Sequence, residues 1–262
     1  MIDFTGKTAL VTGAAGAIGK QVASDLNSYG ATVFITDLKQ DAVDASAEEI
    51  SSAGRKCSGV AADITKEEQV VSVVNAAKDF LGGRIDILVN VAGSAGNGSN
   101  IENVTEDEWE FAFAVNCKGS FFFVKHVVPL MKEAKYGKIL NYSSKSGKTG
   151  SALMVPYSAA KGAIIAFTQG LAFELAKENI NVNCVCPGIT GESGVWSKVS
   201  ADYIKTMNAS REEVVKTFTS KVPLGRLANL NDVSNLTCFL CSDAAEYMTG
   251  QAVNVTGGRE MH

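Results

Sequence analysis

"KTALVTGAAGAIGKQVASDL" (residues 7–26) carries the decision about the fold. An apolar, β-branched run over 7–13 reads as a strand, and helical spacing follows over about 17–29. Between them the glycines fall as Gly13-x-x-Gly16-x-x-Gly19. Glycines here allow a tight turn, approach of backbone to a pyrophosphate, and close packing of helix on strand. Free N–H groups at the helix start receive phosphate charge. Taken alone, the spacing fits an ordinary strand–helix turn equally well.

The same alternation continues along the chain. Strands are predicted over 32–37, 56–63, 85–93, 137–143, 180–188 and 251–258, and helices over 41–54, 66–81, 105–134 and 156–178. The stretch 105–134 contains Gly119, so a bend is expected in it. Several strands are apolar almost throughout, the mark of a parallel sheet covered on both faces. The prediction is one α/β domain over 1–262: a Rossmann-type, doubly wound parallel sheet of about seven strands, with helices on both faces. Ligands then belong at the carboxyl ends of the strands. The segment 189–222 breaks the rhythm and reads as a flap, a loop with one or two short helices.

Composition narrows the class. A net charge of −4 without a basic stretch argues against nucleic acid. No run approaches the ~20 apolar residues that span a bilayer, and "MIDFTGKTAL" is unlike a signal peptide. The six cysteines read as free thiols in a reducing cytoplasm. Cys238-Phe-Leu-Cys241 lies in an apolar helical stretch, without the turn of a redox motif. His126 and His262 stand apart from other metal ligands, so no metal is expected.

Two acids strengthen the nucleotide reading. Asp37 ends the second predicted strand, close to the ~20-residue distance beyond the glycines at which a carboxylate meets ribose. It would bind both ribose hydroxyls and repel a 2′-phosphate, which favours NAD; Lys39 keeps NADP open. Asp63 ends the third and could meet the adenine amino group, cap the next helix, or do both.

"YSAAK" (157–161) sets Tyr157 and Lys161 on one helix face. Bringing a phenol from pKa 10 towards 7 takes about 4 kcal/mol. One cation at ~5 Å supplies roughly 3 kcal/mol at an effective dielectric of 20. Lys161 with an oxidised nicotinamide would suffice. A serine hydroxyl could then hold the substrate oxygen while the tyrosine moves its proton.

"TGAAGAIG" (12–19), "NVAG" (90–93), "VNCKG" (115–119), "SSKSG" (143–147), "YSAAK" and "CPG" (186–188) occur in the order and spacing of the short-chain dehydrogenase/reductase family, which the chain resembles along its length. The resemblance implies Tyr157 as acid/base, Lys161 as the group that orients ribose and lowers the tyrosine pKa, and Ser144 polarising the substrate oxygen. Asn116 would hold a water of the proton relay. Cofactor contacts are implied at Gly13, Ala15, Gly16, Ala17, Ile18 and Gly19, at Asp37 and Leu38, and at Asp63 and Ile64. Later ones are implied at Asn90, Ala92 and Gly93, at Tyr157 and Lys161, and at Pro187, Gly188, Ile189 and Thr190. Two departures stand out. Val91 replaces the usual second asparagine of N-N-A-G, and Glu192 stands where a threonine often meets the nicotinamide carboxamide.

Within the family, "SSKSGKTGS" and "GQAVNVTGGREMH" resemble polyol and polyol-phosphate dehydrogenases, notably the sorbitol-6-phosphate 2-dehydrogenases. Acetoin/butanediol-type and ketoacyl or hydroxyacyl thioester reductases are alternatives, as is a nucleotide-binding regulator without activity. Substrate contacts are expected at Ser144, Lys145, Lys148, Glu192 and Trp196, with Tyr203 and Met207 as further flap candidates. Either lysine would meet a distal phosphate, or lie solvated on a turn. The resemblance also implies a homotetramer paired through the helices at 105–134 and 156–178.

Overall fold

A computed structural model describes residues 2–194, 196–197, 200–201, 204 and 208–262. Seven parallel strands form one sheet in the order β3-β2-β1-β4-β5-β6-β7. They are β1 (Thr8–Thr12), β2 (Thr32–Thr36), β3 (Cys57–Gly59), β4 (Ile87–Asn90), β5 (Gly137–Tyr142), β6 (Ile180–Pro187) and β7 (Ala252–Val255). The first helices are α1 (Ala17–Ser28), α2 (Gln40–Ala53), α3 (Glu67–Phe80), α4 (Glu106–Phe113) and α5 (Gly119–Ala134). After them come α6 (Lys145–Thr149), α7 (Val155–Leu175), α8 (Arg211–Thr219) and α9 (Leu230–Cys241).

The apolar strands have two apolar faces because both are covered. Ala9 and Val11, Val33 and Ile35, and Ile87 and Val89 point into one core with Val22 and Leu26 of α1, Ile50 of α2 and Val233 of α9. Leu10, Phe34, Leu88 and Ile139 point into the other, against Val73 of α3, Phe123 of α5 and Leu175 of α7. Alternate residues thus serve opposite cores, as the side-chain period of a strand requires. A charge placed at Leu88 would be buried without a partner.

The sheet reverses its strand order beside β1, which pairs with β2 on one side and β4 on the other. The loops after β1 and β4 therefore diverge and open a crevice at their carboxyl ends.

The long helix does deviate from regularity, but not because of its glycine. Gly119 is helical (φ −58°, ψ −48°), and one π turn, Ala114–Lys118, joins α4 to α5. The glycine is needed for packing: a Cβ there would lie 2.5 Å from Ile64 Cδ1. The π turn carries Asn116, in keeping with the use of π turns at functional sites.

β3 stops at Gly59, short of Asp63. In the 189–222 segment, α8 begins in a capping box of Ser210 and Glu213.

Candidate active site

Ser144 follows β5 and is the N-cap of α6, its Oγ accepting from the Ser146 amide at 3.1 Å. Its hydroxyl lies by the Tyr157 phenol, whose pKa it lowers, and both side chains line one cavity. Ser143 lies beneath: its Oγ donates to the Lys161 carbonyl at 2.7 Å, tying the end of β5 to α7. Gly147 lets α6 sit on α7, because a Cβ there would be 2.6 Å from the Lys161 carbonyl carbon. Ser143 and Gly147 thus fix the distance between the helix carrying Tyr157 and Lys161 and the loop carrying Ser144.

Tyr157 is buried against Ala95 and Met154. Burial pushes its phenol pKa up, and the Ser144 hydroxyl opposes this. Lys161 is itself depressed to about 8, because it is buried. Its Nζ lies 5.7 Å from the Tyr157 ring centroid and donates to the Tyr142 carbonyl at 2.8 Å. Desolvation is the largest cause of both shifts.

Asn116 is anchored by its amide. Nδ2 donates to the Ser94 and Ala112 carbonyls (2.8 and 2.9 Å), and Oδ1 accepts from the Ser94 amide at 3.1 Å. A Cβ on Gly93 would lie 2.7 Å from Asn116 Oδ1 and 3.1 Å from Lys161 Nζ. The close approach of three functional elements therefore requires glycine at 93.

The crevice has the chemistry of a dinucleotide site. Gly13 has φ +67°, and a Cβ on it would be 2.8 Å from Ala92. A Cβ on Gly19 would be 2.2 Å from the Gly13 carbonyl oxygen. α1 starts at Gly16 with no side-chain cap and no acid in its first turn, which leaves its amides for an anion; Ala17 and Ile18 lie there. Asp37 accepts from the Ala15 amide at 3.0 Å and from the Leu38 amide at 2.7 Å, and Leu38 is exposed beside it. Asp63 does not cap α3, whose N-cap is Lys66. It closes a turn with the Thr65 hydroxyl and amide, which hold its carboxyl below the usual range. Deeper in, Asn90 Oδ1 and Thr190 Oγ1 are buried acceptors without a hydrogen-bond partner among the described residues. A carboxamide is a group that could satisfy them, so Thr190 offers what Glu192 does not: Glu192 is exposed. The residues present fit a nicotinamide dinucleotide.

A cavity of about 400 Å³ opens on Ser144 and Tyr157, within the range of small-molecule sites. Gly188, Ile189 and Thr190, which follow Pro187, form one wall, pinned by Thr190 pairing with Ala228. Trp196 and Phe218 form another, edge to face at 77° with centroids 5.3 Å apart. Lys145 lines the cavity; Lys148 and Glu192 do not. Tyr203 and Met207 lie outside the described residues. Lys221 and Arg259 also line it. Nothing singled them out in the sequence, where Gly257 and Gly258 fall in the last predicted strand; β7 stops at Val255, and both glycines have positive φ.

Residues 13–260 match the family model described as enoyl-(acyl carrier protein) reductase. The chain belongs to the short-chain dehydrogenase/reductase family. Galactitol 2-dehydrogenase of Agrobacterium fabrum is 38% identical over 257 residues, covering 97% of this chain and 98% of that protein. A solved NAD+-bound xylitol dehydrogenase has a TM-score of 0.93 at 30% identity, covering 97% of this chain and 99% of that one. An actinorhodin polyketide ketoreductase variant solved with NADPH also has a TM-score of 0.93, at 32% identity, with 98% of each chain covered. The oxidoreductase family and its nicotinamide chemistry are thereby shown, while the relatives differ in cofactor and substrate. No helix among the described residues is long and apolar enough to cross a membrane.

Proposed function

We propose that the protein is an NAD(H)-dependent dehydrogenase that interconverts a secondary alcohol and a ketone on a small polyhydroxylated substrate. A sugar alcohol, free or phosphorylated, fits best. The observation that carries this is that Ser144 and Tyr157 together line a cavity of about 400 Å³. Ser144 would donate to the substrate oxygen. Tyr157 would give that oxygen its proton during ketone reduction and take it back during alcohol oxidation. A bound nicotinamide supplies or accepts the hydride. Lys161 places a titratable ammonium behind the phenol, and Asn116 braces the π turn beside it.

Asp37 supports NAD: its carboxylate would face a 2′-phosphate as a like charge. The polyol reading is supported by likeness to galactitol and xylitol dehydrogenases. A ketoacyl thioester reductase is the second reading, favoured by likeness to the NADPH-bound polyketide ketoreductase. An NADH- and NADPH-coupled screen of ketoses, ketose phosphates, acetoin and ketoacyl thioesters separates them. Turnover of thioesters alone, with NADPH, would overturn the first reading.

We also propose a homotetramer. Trp109 and Phe111 of α4, Phe121 of α5 and Phe173 of α7 are exposed, Phe173 by 89%, on the helices through which pairing is expected. Sedimentation of a stable monomer at micromolar concentration would refute it.

A further inference from the structure

We infer that the substrate cavity contains a seat for an anionic group, formed by Lys145, Lys221 and Arg259, and that the substrate carries a phosphate or carboxylate at the end distal to the reacting carbon. This rests on the dehydrogenase reading above.

Three separate segments bring the cations together. Lys145 opens α6, directly after Ser144. Lys221 follows α8, and Arg259 lies in the tail beyond β7. All three line the cavity that Ser144 and Tyr157 also line. Phe218 brings two of them close: Lys221 Nζ is 5.3 Å and the Arg259 guanidinium 5.9 Å from its ring centroid.

Arg259 is aimed but not satisfied. Its Nε meets Glu260 Oε1 at 3.2 Å, and its side chain is only 18% exposed. Its Nη1 is buried without a hydrogen-bond partner among the described residues. Glu260 is itself anchored, its amide donating to Thr256 Oγ1 and its carbonyl accepting from Asn254 and Thr256. Arg259 lines the cavity and Glu260 does not, so the carboxylate holds the guanidinium from outside the lining.

Among the described residues, three cations stand against the one carboxylate of Glu260. Burial lowers the Lys145 pKa, Arg259 and Lys221 push it further down, and Glu260 opposes them. Like charges gathered in a half-closed site cost stability until an anion enters. A neutral polyol gives Arg259 Nη1 no charged acceptor. A phosphate or carboxylate gives all three cations a charge-assisted partner, with the planar guanidinium suited to two of its oxygens.

The test titrates the NADH-loaded protein by calorimetry with fructose, fructose 6-phosphate, a keto sugar acid and inorganic phosphate, alongside kcat/KM for each turned-over compound. An anionic ketose is expected to bind at least about tenfold tighter than fructose, the scale of one hydrogen bond to a charged group. The tighter arm tells phosphate from carboxylate. Arg259→Gln should cut the ratio of anionic to neutral kcat/KM at least about tenfold. Rising salt should lower the wild-type ratio, which keeps the test open if the variant folds poorly. Equal binding of fructose and both anionic ketoses would overturn the seat and leave the dehydrogenase reading standing. Tight binding of an anionic ketose without turnover of any alcohol or ketone would overturn the dehydrogenase reading and leave the seat.

Discussion

Replacing Lys161 by Met should change how stability depends on pH, by an amount that the burial of this lysine sets. Lys161 is 4% exposed, and its pKa falls from 10.5 to about 8 on folding. One pKa unit is worth ~1.4 kcal/mol, so holding the ammonium at pH 7 costs about 3 kcal/mol. Between pH 8 and 10.5 the unfolded lysine keeps a proton that the folded one releases. Stability contributed by this group therefore rises with pH through that window. Other groups act oppositely: the buried thiols of Cys57 and Cys238 are pushed up to about 12, so unfolding releases their protons at high pH. The difference between wild type and Lys161→Met cancels them. Urea unfolding at fixed protein concentration should show wild type gaining about 2 kcal/mol on the variant between pH 7 and 9.5. The hydrogen bond to Tyr142 is lost at every pH and shifts the offset, not the slope. Parallel stability curves would show that the ammonium is not desolvated, and the account of its pKa would fall.

Three further outcomes follow from the site. Asp37→Ala removes the carboxylate facing the ribose position and should lower the ratio of kcat/KM for NAD to that for NADP at least about tenfold, since one like-charge pair at 4 Å is worth up to ~4 kcal/mol; an unchanged ratio would remove Asp37 from cofactor selection. Gly93→Ala forces a methyl within 2.7 Å of Asn116 Oδ1. It should cost about 1–3 kcal/mol in urea unfolding and weaken NADH binding, and wild-type values for both would contradict the packing described. Ser144→Ala should lower kcat about 10²–10³-fold in steady-state assays, as for loss of one donor to a developing oxyanion, and near-normal kcat would exclude that role.

Much of the fold was legible because each strand states its burial on both faces: "TALVT" and "ILVN" have no polar face to turn to water. Tyr157 and Lys161 were legible because a helix fixes what lies four residues apart. What escaped depends on closure in three dimensions. Arg259 is more than 100 residues from Lys145 in the chain, and the two meet in the lining of one cavity. The π turn at Asn116 leaves no compositional mark, so the irregularity was placed on Gly119. Ser143 holds α7 because Gly147 lets the two segments touch, a contact that spacing along the chain does not reveal. The burial that raises the Tyr157 pKa is not legible in a sequence, because desolvation depends on the closed fold.

The central claim is that Tyr157 moves the proton in a nicotinamide-dependent alcohol–ketone interconversion. Tyr157→Phe keeps the ring that packs on Met154 and Ala95 and removes only the hydroxyl. Turnover should be followed with the best substrate of the screen, and NADH binding by its fluorescence. The account predicts that kcat falls about 10²–10⁴-fold while NADH affinity stays within about twofold. Full turnover by the phenylalanine variant, with NADH bound normally, would contradict it.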